Sequence, residues 1–337
     1  MQKPTARRIA DLAQVSPSTV SRILNGTAQV SPQLRARVLE AAQHLGYPLL
    51  GKHSDGDTIC LLVPQFTNPF YMEIIDGVVE TATNAGLNIV LCSASGGGLL
   101  KHPMLRGSSN PPAGIISLCR LQKDTPFLQL LPENTPIVQC CEYDTDLPYP
   151  VVAINNYAAA FHATSHLIGL GHTRLSIFNS TCHTLYGKER ERGFRAALAA
   201  HNLSIPEDWV LHLGEIDYNL AAAAAHDLFS QPTYPEAVFC VSDVYAAGIV
   251  KSVRALGLQI PEDISVIGFD DTEIALINEP ALTTVRQPRR KLGVTACNVI
   301  IRMIRTGSSP SQFFWIESDL VVRSSTSSKS APSGAAT

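Results

Sequence analysis

Three short segments near the start of the chain carry apolar residues at helical spacing. The first ends at residue 14, and its apolar side is formed by Ile9, Ala10, Leu12 and Ala13. The second and third open with Ser-Pro, at residues 16–17 and 31–32. Ser is a favourable N-cap, and Pro suits the first helical position. The pattern therefore predicts three helices in the first 48 residues, packed around a small core of their own.

From residue 58 onward, short apolar runs alternate with segments of helical spacing. The apolar runs lie at 58–63, 88–92, 113–118, 136–141, 175–178, 237–241, 265–269 and 282–285. The helical segments between them lie at 71–85, 157–170, 189–201 and 244–256. Such alternation is typical of parallel sheets with helices on both faces. The sequence therefore predicts an α/β body that contains two parallel sheets.

The second predicted helix has the polar pattern of the DNA-reading helix in a helix-turn-helix motif. Such a helix presents short polar groups and a long hydrogen-bond donor to the major groove, while its other face packs. Here Val20, Ile23 and Leu24 are predicted to face the core. The outward-facing set is predicted to be Ser16, Pro17, Ser18, Ser21 and Arg22.

Residues 9–25 read IADLAQVSPSTVSRILN, and this run resembles the head of the LacI/GalR repressor family. The resemblance continues to about Arg323. It implies an N-terminal all-α helix-turn-helix head and an α/β body of the periplasmic-binding-protein type, with two parallel-sheet subdomains crossed by several chain segments. It also implies a sequence-specific DNA-binding repressor, whose operator affinity is modulated by a small-molecule effector in the cleft between the subdomains.

The resemblance assigns the DNA-contacting positions of the head. Pro17, Ser18 and Arg22 match the base-reading positions of the family, and Arg22 is suited to a bidentate contact with guanine. The positions that contact phosphates or hold the motif together are matched by Thr5, Ser16, Thr19, Ser21 and Asn25. The alternative is a three-helix packing module that binds nothing, since a fold does not by itself imply a function.

The predicted domain order is a helix-turn-helix domain at 1–48, a linker at 49–57, an effector-binding and dimerisation domain at 58–323 and a disordered tail at 324–337. The family usually has a hinge helix after the head. Residues 49–57 contain two Gly and no Ala-x-x-Leu pattern, so a flexible tether is expected. Residues 95–112 hold three consecutive Gly and three Pro where the family has a helix. This indicates either a loop or a compensated change of reading frame.

Six residues are candidates for the effector cleft, because they match family positions or follow predicted strands: Phe66, Phe70, Tyr71, Arg190, Ser242 and Asp270. Core packing is the alternative for the aromatic residues, a solvated position for Arg190 and a helix N-cap for Asp270. Within the family, the middle of the chain is most similar to the cytidine repressor type, so the expected effector is a sugar or a nucleoside. Ile216 stands where relatives carry a stacking aromatic residue.

Charge is divided unevenly along the chain. Residues 1–52 carry seven Lys and Arg and two acidic residues, a net charge of +5, which leaves −8 for the remainder because the whole chain has −3. A basic head on an acidic body concentrates the attraction for phosphates in the head. Because one head reads only a half-site, the expected partner is palindromic double-stranded operator DNA bound by a homodimer.

Several other classes of protein are not indicated. The N-terminus lacks the apolar core of a signal peptide and no stretch approaches about 20 apolar residues, so a cytoplasmic protein without a membrane segment is expected. The eight cysteines show no Cys-x-x-Cys pair and no metal-ligand spacing, so reduced thiols are expected, without a metal or another cofactor. Motifs such as Gly-x-Ser-x-Gly and His-Glu-x-x-His are absent, which argues against an enzyme. A solute-binding protein without DNA-dependent regulation is the main alternative.

Overall fold

The computed structural model of the chain describes residues 5–24, 30–45, 47, 58–94, 111–181, 183–308 and 312–329. The chain divides into two compact units, Met1–Ser54 and Asp55–Thr337, which we call the head and the body. The predicted linker at 49–57, residues 95–110 of the glycine- and proline-rich stretch, and Asn25 lie outside the described residues.

The described part of the head contains the three predicted helices, α1 (Ala6–Ala13), α2 (Pro17–Leu24) and α3 (Pro32–His44). Gln14 ends α1 with a φ of 52°, in the left-handed region. This turn lets the Val15 amide donate to the Ala10 carbonyl at 3.0 Å. The apolar sides of the helices meet in a core that contains Ile9, Ala10, Ala13, Val20, Ile23, Val38, Ala41 and Ala42.

The first sheet of the body is formed by β1 (Thr58–Val63), β2 (Asn88–Ser93), β3 (Gly114–Ser117), β4 (Ile137–Cys140), β5 (Val151–Ala153) and β11 (Phe313–Trp315). The strands lie in the order β11-β5-β4-β3-β1-β2, and the described pairs are parallel. A 3-10 helix at Pro69–Tyr71 follows β1 and leads into α4 (Met72–Asn84). Helix α4 and the long α10 (Arg289–Thr306) pack against this sheet.

The second sheet is formed by β6 (Leu175–Asn179), β7 (Val210–His212), β8 (Ala237–Cys240), β9 (Ser265–Asp270), β10 (Thr283–Arg286) and β12 (Asp319–Val321). The order is β12-β10-β9-β8-β6-β7. Strand β12 runs antiparallel to β10, and the other described pairs are parallel. The helices of this half are α5 (Asn156–Gly169), α6 (Leu185–Ala200), α7 (Tyr218–Phe229), α8 (Asp243–Ala255) and α9 (Glu273–Ile277).

The chain passes between the two subdomains of the body three times within the described residues. It leaves the first sheet after β5, returns through α10 after β10, and leaves again between β11 and β12. The prediction of two parallel-sheet subdomains crossed by several segments is therefore confirmed, with β12 as an antiparallel edge strand. Because ligands of parallel sheets bind at the carboxyl ends of the strands, each sheet can contribute one wall to a cleft.

Helices α4 and α10 approach each other closely at two glycines. A Cβ atom on Gly293 would overlap the Ile74 carbonyl, and one on Gly77 would overlap the Arg290 carbonyl. The absence of side chains at these two positions lets the helix backbones touch. The contact anchors α10 to the first subdomain directly after the chain has left β10.

The C-terminal segment is ordered further than the sequence predicts. Ser325 is fully buried, and its hydroxyl donates to the Val266 carbonyl at 2.6 Å and accepts from the Thr283 amide at 2.8 Å. Lys329 pairs with Glu236 at 2.9 Å. The prediction of a disordered tail from Ser324 is wrong for residues 324–329. This segment is held by hydrogen bonds between Ser325 and the backbone of the second sheet and by the ion pair of Lys329.

The described cysteines are free thiols. No group of three or more His, Cys, Asp or Glu side chains in the described ranges is arranged to hold a metal ion. None of the helices in these ranges has the length and apolar content needed to span a bilayer.

Candidate functional site

The N-terminal turn of α2 presents a polar, exposed face. The Oγ atom of Ser16 caps the helix by accepting a hydrogen bond from the Thr19 amide at 3.1 Å. The hydroxyls of Ser18 and Thr19 lie 2.8 and 2.7 Å from the same Oγ atom. Val20 and Ile23 are buried, whereas the opposite face exposes Ser16, Pro17, Ser18, Ser21 and Arg22. The predicted division of α2 into a packing face and an outward face is confirmed.

The remaining head candidates differ in their placement. Thr5 is exposed at the start of α1, where its carbonyl accepts from the Arg8 and Ile9 amides at 3.0 and 3.2 Å. Thr19 is half-buried. Asn25 lies outside the described residues.

A narrow cleft lies between the two subdomains of the body. Its wall joins residues that follow strands of the first sheet to residues from α6, from β9 and from the segment just before α8 in the second subdomain. The lining residues are Asn68, Phe70, Tyr71, Cys141, Glu142, Ile154, Asn156, Tyr186, Arg190, Ile216, Val241, Ser242, Asp270 and Gln287. Aromatic rings with a few convergent polar groups are the usual lining of a small-molecule site.

Arg190 of α6 is 5% exposed and makes close contacts inside the protein. Its Nε donates to Asn156 Oδ1 at 2.9 Å, and its Nη1 donates to the Val241 carbonyl at 2.6 Å. The guanidinium lies over the Phe269 ring, 3.5 Å from its centroid, and 4.0 Å from Asp270 Oδ1. Burial lowers the pKa of Arg190, and the Asp270 carboxylate acts in the opposite direction. The interpretation of Arg190 as a solvated residue is therefore wrong.

Asp270 ends β9 with a φ of 111°, a backbone region that non-glycine residues rarely adopt. Its carboxylate accepts from Gln287 Nε2 at 2.7 Å and from the Ser242 hydroxyl at 3.4 Å. Burial raises the pKa of Asp270 to about 6, although Arg190 opposes this shift. The N-cap of α9 is Thr272, so the helix-cap alternative for Asp270 is wrong.

A second buried carboxylate, that of Asp243, binds the chain segment next to Asp270. It accepts from the amide and hydroxyl of Thr272 at 2.7 and 3.1 Å, and from the Thr284 hydroxyl at 2.6 Å. Burial, followed by the charge of Asp270, raises the pKa of Asp243 to about 7. Gly268 leaves room for this carboxylate, because a Cβ atom there would overlap it. Asp243 thus holds the chain segment that carries Asp270.

Glu142 crosses the cleft from the first subdomain to the second. It follows β4 and is 7% exposed, and its two carboxylate oxygens accept from the amides of Leu185 and Tyr186 at 2.9 Å each. These amides form the first turn of α6. Burial raises the pKa of Glu142, while the two amide hydrogen bonds lower it in part.

Five of the six predicted cleft residues line the cleft, and Phe66 does not. Phe70 and Tyr71 are each 8% exposed and meet edge to face, with ring centroids 5.1 Å apart. Asn68 fixes this turn by accepting from the Phe70 amide at 3.0 Å. Ser242 caps α8 by accepting from the Val244 amide at 3.2 Å. Phe66 is 48% exposed, because it lies in the turn between β1 and the 3-10 helix.

The sequence reasoning missed Glu142, Asn156 and Gln287, all of which line the cleft. Gln287 directly follows β10 and Glu142 lies two residues after β4, so the rule for carboxyl ends of strands applied to them as well as to Asp270. Asn156 begins α5, and its role depends on the side chain of Arg190, which no local pattern reveals.

Two family models match the chain. The model for bacterial regulatory proteins of the lacI family matches residues 5–48, and the model for the periplasmic binding protein-like domain matches residues 164–326. Among curated relatives, the HTH-type transcriptional repressor PurR of Aliivibrio fischeri (strain MJ11) is 31% identical over 331 residues, which span 95% of this chain and 98% of the relative.

Solved structures agree in fold. The transcriptional regulator CelR in complex with cellobiose is 30% identical with a TM-score of 0.73, and the match covers 96% of this chain and all of that one. The lac repressor dimer bound to operator and the anti-inducer ONPF is 20% identical with a TM-score of 0.75, over 97% of this chain. The chain therefore belongs to the lacI family of bacterial regulatory proteins, as a transcriptional regulator with a helix-turn-helix head and an effector-binding body.

Proposed function

We propose that this chain represses transcription by binding a palindromic operator as a homodimer, and that a sugar or nucleoside in the cleft modulates its operator affinity. The observation that carries the proposal is the exposed polar face of α2 on a head with its own core. The named relatives support it, since PurR is a transcriptional repressor and CelR is found with cellobiose. The closer likeness to the cytidine repressor type stays a prediction.

In the head, we assign base reading to Pro17, Ser18 and Arg22. They are exposed on the first turns of α2, and a guanidinium is suited to the paired acceptors of guanine in the major groove. Thr5, Ser16, Thr19, Ser21 and Asn25 are assigned to phosphate contacts or to holding the motif. This division follows the general rule that phosphate contacts position a protein and base contacts specify the sequence.

In the body, we assign effector binding to Phe70, Tyr71, Arg190, Ser242 and Asp270. The two aromatic residues belong to the first subdomain and the other three to the second. A ligand that touches both walls binds the closed cleft more tightly than an open one, and only such a difference in affinity shifts the equilibrium. We place the domain boundaries as predicted from the sequence, except that residues 324–329 belong to the body.

We place the homodimer contact on the body, at α9. Leu276 and Ile277 are consecutive large apolar residues with exposures of 61% and 80%, and apolar surface of this kind marks association sites. Ile277→Asp is expected to produce a monomer in sedimentation experiments at micromolar concentration. Leu130→Asp, at an exposed leucine of the first subdomain, is the matched control and should leave the dimer intact.

We also infer that the cleft binds its ligand without catalysing a reaction. Glu142 and Asp270 both accept hydrogen bonds from protein groups, and the named relative is a repressor. A solute-binding protein without regulation is disfavoured by the head, which such a protein does not need.

The test is fluorescence anisotropy with the DNA upstream of the gene, with and without a panel of sugars and nucleosides. Tight binding to one palindromic site, loss of binding to its scrambled version and a change in affinity with one panel member are the expected results. Equal binding to the site and to the scrambled DNA would overturn the proposal.

A further inference from the structure

The first turn of α6 lies at the wall of the cleft, and it is the kind of structure that binds anions. The first amides of a helix have no partner within the helix, and the helix dipole adds partial positive charge there. Phosphate and carboxylate groups of ligands commonly use such a site. A ligand in this cleft would meet the amides of Leu185 and Tyr186 beside Arg190.

In this chain, the protein itself occupies those donors. Glu142 accepts from the Leu185 and Tyr186 amides at 2.9 Å each, and Thr184 accepts from the Gly187 amide at 3.2 Å. The three amides of the first turn are thus satisfied. Because Glu142 comes from the opposite subdomain, its carboxylate takes the place that an anionic ligand group would take in the closed cleft.

Two arginines near the cleft also have partners within the protein. Arg190 donates to Asn156 and Val241 and lies 4.0 Å from Asp270. Arg120 lies 3.6 Å from Asp144. The charged side chains that line the cleft are the two carboxylates of Glu142 and Asp270 and the guanidinium of Arg190. The lining therefore carries a net charge of −1. An anionic group entering it would displace a buried carboxylate or face two of them, and both cost free energy.

We propose that Glu142 is a specificity-determining residue that restricts the cleft to uncharged, hydroxylated effectors and excludes their phosphate esters. The proposal rests on the proposed function, since it concerns the effector bound in the same cleft. It also predicts that removal of the Glu142 carboxylate opens an anion site. A carboxylate that only caps α6 would give a less stable protein on removal, without a new site.

The first arm of the test compares uncharged molecules with their phosphate esters on the full-length protein. The calorimetric pairs are cytidine and cytidine 5′-monophosphate, uridine and uridine 5′-monophosphate, and ribose and ribose 5-phosphate. Each parent that binds is expected to bind at least about tenfold more tightly than its ester, because like charges repel in a buried cleft. An ester that binds as tightly as its parent overturns the proposal.

The second arm needs no effector and uses inorganic phosphate as the probe. Phosphate is expected to raise the melting temperature of Glu142→Ala above that in chloride of equal ionic strength, and to have no such effect on the wild type. Glu133→Ala, which removes an exposed glutamate of the same subdomain, is the matched control and should behave as the wild type does. Glu142→Ser, which also leaves the amides of Leu185 and Tyr186 without the carboxylate, serves if the alanine variant does not fold.

The outcomes separate this inference from the proposed function. A protein that binds no operator would contradict the proposed function, but the phosphate experiment would still test the role of Glu142. Equal effects of phosphate on the wild type and on Glu142→Ala, or a loss of stability in Glu142→Ala and Glu142→Ser with no gain of phosphate binding, would overturn the role of Glu142.

Discussion

The head and the body hold their functional polar groups in opposite ways. In the head, Ser16 caps α2, and Ser18 and Arg22 lie on its first and second turns. All three are exposed, so their hydroxyls and guanidinium can meet DNA without any change in the core. In the body, Glu142 and Asp270 are buried, with exposures of 7% and 5%, and come from different subdomains.

This difference has a physical origin in what each region recognises. DNA is a large charged surface, so a small basic module needs only an exposed face and a rigid core behind it. A small ligand offers little surface, so the body must surround it and satisfy each buried polar group. The head therefore acts through single exposed side chains, whereas the body acts through a connected set of buried ones.

The largest predicted effect comes from the buried set. Asp270→Ala removes the buried carboxylate that we assign to accepting hydrogen bonds from the effector, and a hydrogen bond to a charged group contributes about 1.5–3 kcal/mol. The variant is expected to lose the corresponding effector affinity in calorimetry and to keep its ligand-free operator affinity.

Phe66→Ala is the matched control, because Phe66 is exposed and lies outside the cleft lining. It should bind the effector as the wild type does. An Asp270→Ala protein with unchanged effector affinity would contradict the assignment of the cleft.

The same contrast explains what could be predicted from the sequence. The outward face of α2 was predictable because helical spacing and the Ser-Pro start fix which side chains point away from Val20 and Ile23. Arg190 and Asp270 were found through resemblance and through the rule for carboxyl ends of strands. Glu142 was missed because its partner, the first turn of α6, lies 43 residues away, and no local pattern records that contact.

Elements of the body were missed for local reasons. Strands β5, β7, β11 and β12 have three residues each, too few for periodicity to appear. Helix α10 is rich in β-branched residues and contains Gly293, and both lower helix propensity. Its helical form comes from packing against α4 and the first sheet.

A second prediction addresses the exposed set. Arg22→Ala should remove about 1–3 kcal/mol of discrimination between operator and scrambled DNA, because a bidentate contact to guanine is lost. Arg7→Ala removes an equal charge from the exposed face of α1 and should weaken binding to both DNAs alike. Anisotropy titrations at several salt concentrations measure both effects. Equal weakening of both DNAs by Arg22→Ala would contradict base reading by this residue.

A third prediction tests the burial of Asp270 through the pH dependence of stability. Burial raises the pKa of Asp270 from 3.8 to about 6, so the unfolded chain loses this proton first as the pH rises. The contribution of Asp270 to stability is therefore greatest in acid and falls until the pH passes the folded pKa. Asp270→Asn has no such proton. Between pH 5 and pH 8, the wild type is expected to lose about 1–2 kcal/mol of unfolding free energy relative to this variant.

Urea unfolding at the two pH values measures this difference. Asp227→Asn, at an exposed aspartate of α7, is the control and should parallel the wild type across the range. A constant difference in stability between Asp270→Asn and the wild type from pH 5 to pH 8 would show that burial does not raise the pKa of Asp270.

The smallest predicted effect tests whether Ser16 contacts DNA in addition to capping α2. Ser16 has a structural role beside its proposed contact, because its Oγ accepts from the Thr19 amide at 3.1 Å. Loss of an N-cap costs about 1 kcal/mol, so Ser16→Ala should destabilise the head by this amount. Ser31 caps α3 in the same way, through the Leu34 amide at 3.3 Å, and Ser31→Ala should give a similar loss of stability. Hydrogen exchange of the head amides measures both losses. Because the two variants share the loss of a cap, any further loss of operator affinity in Ser16→Ala reports the DNA contact alone; identical operator affinities in the two variants would restrict Ser16 to capping.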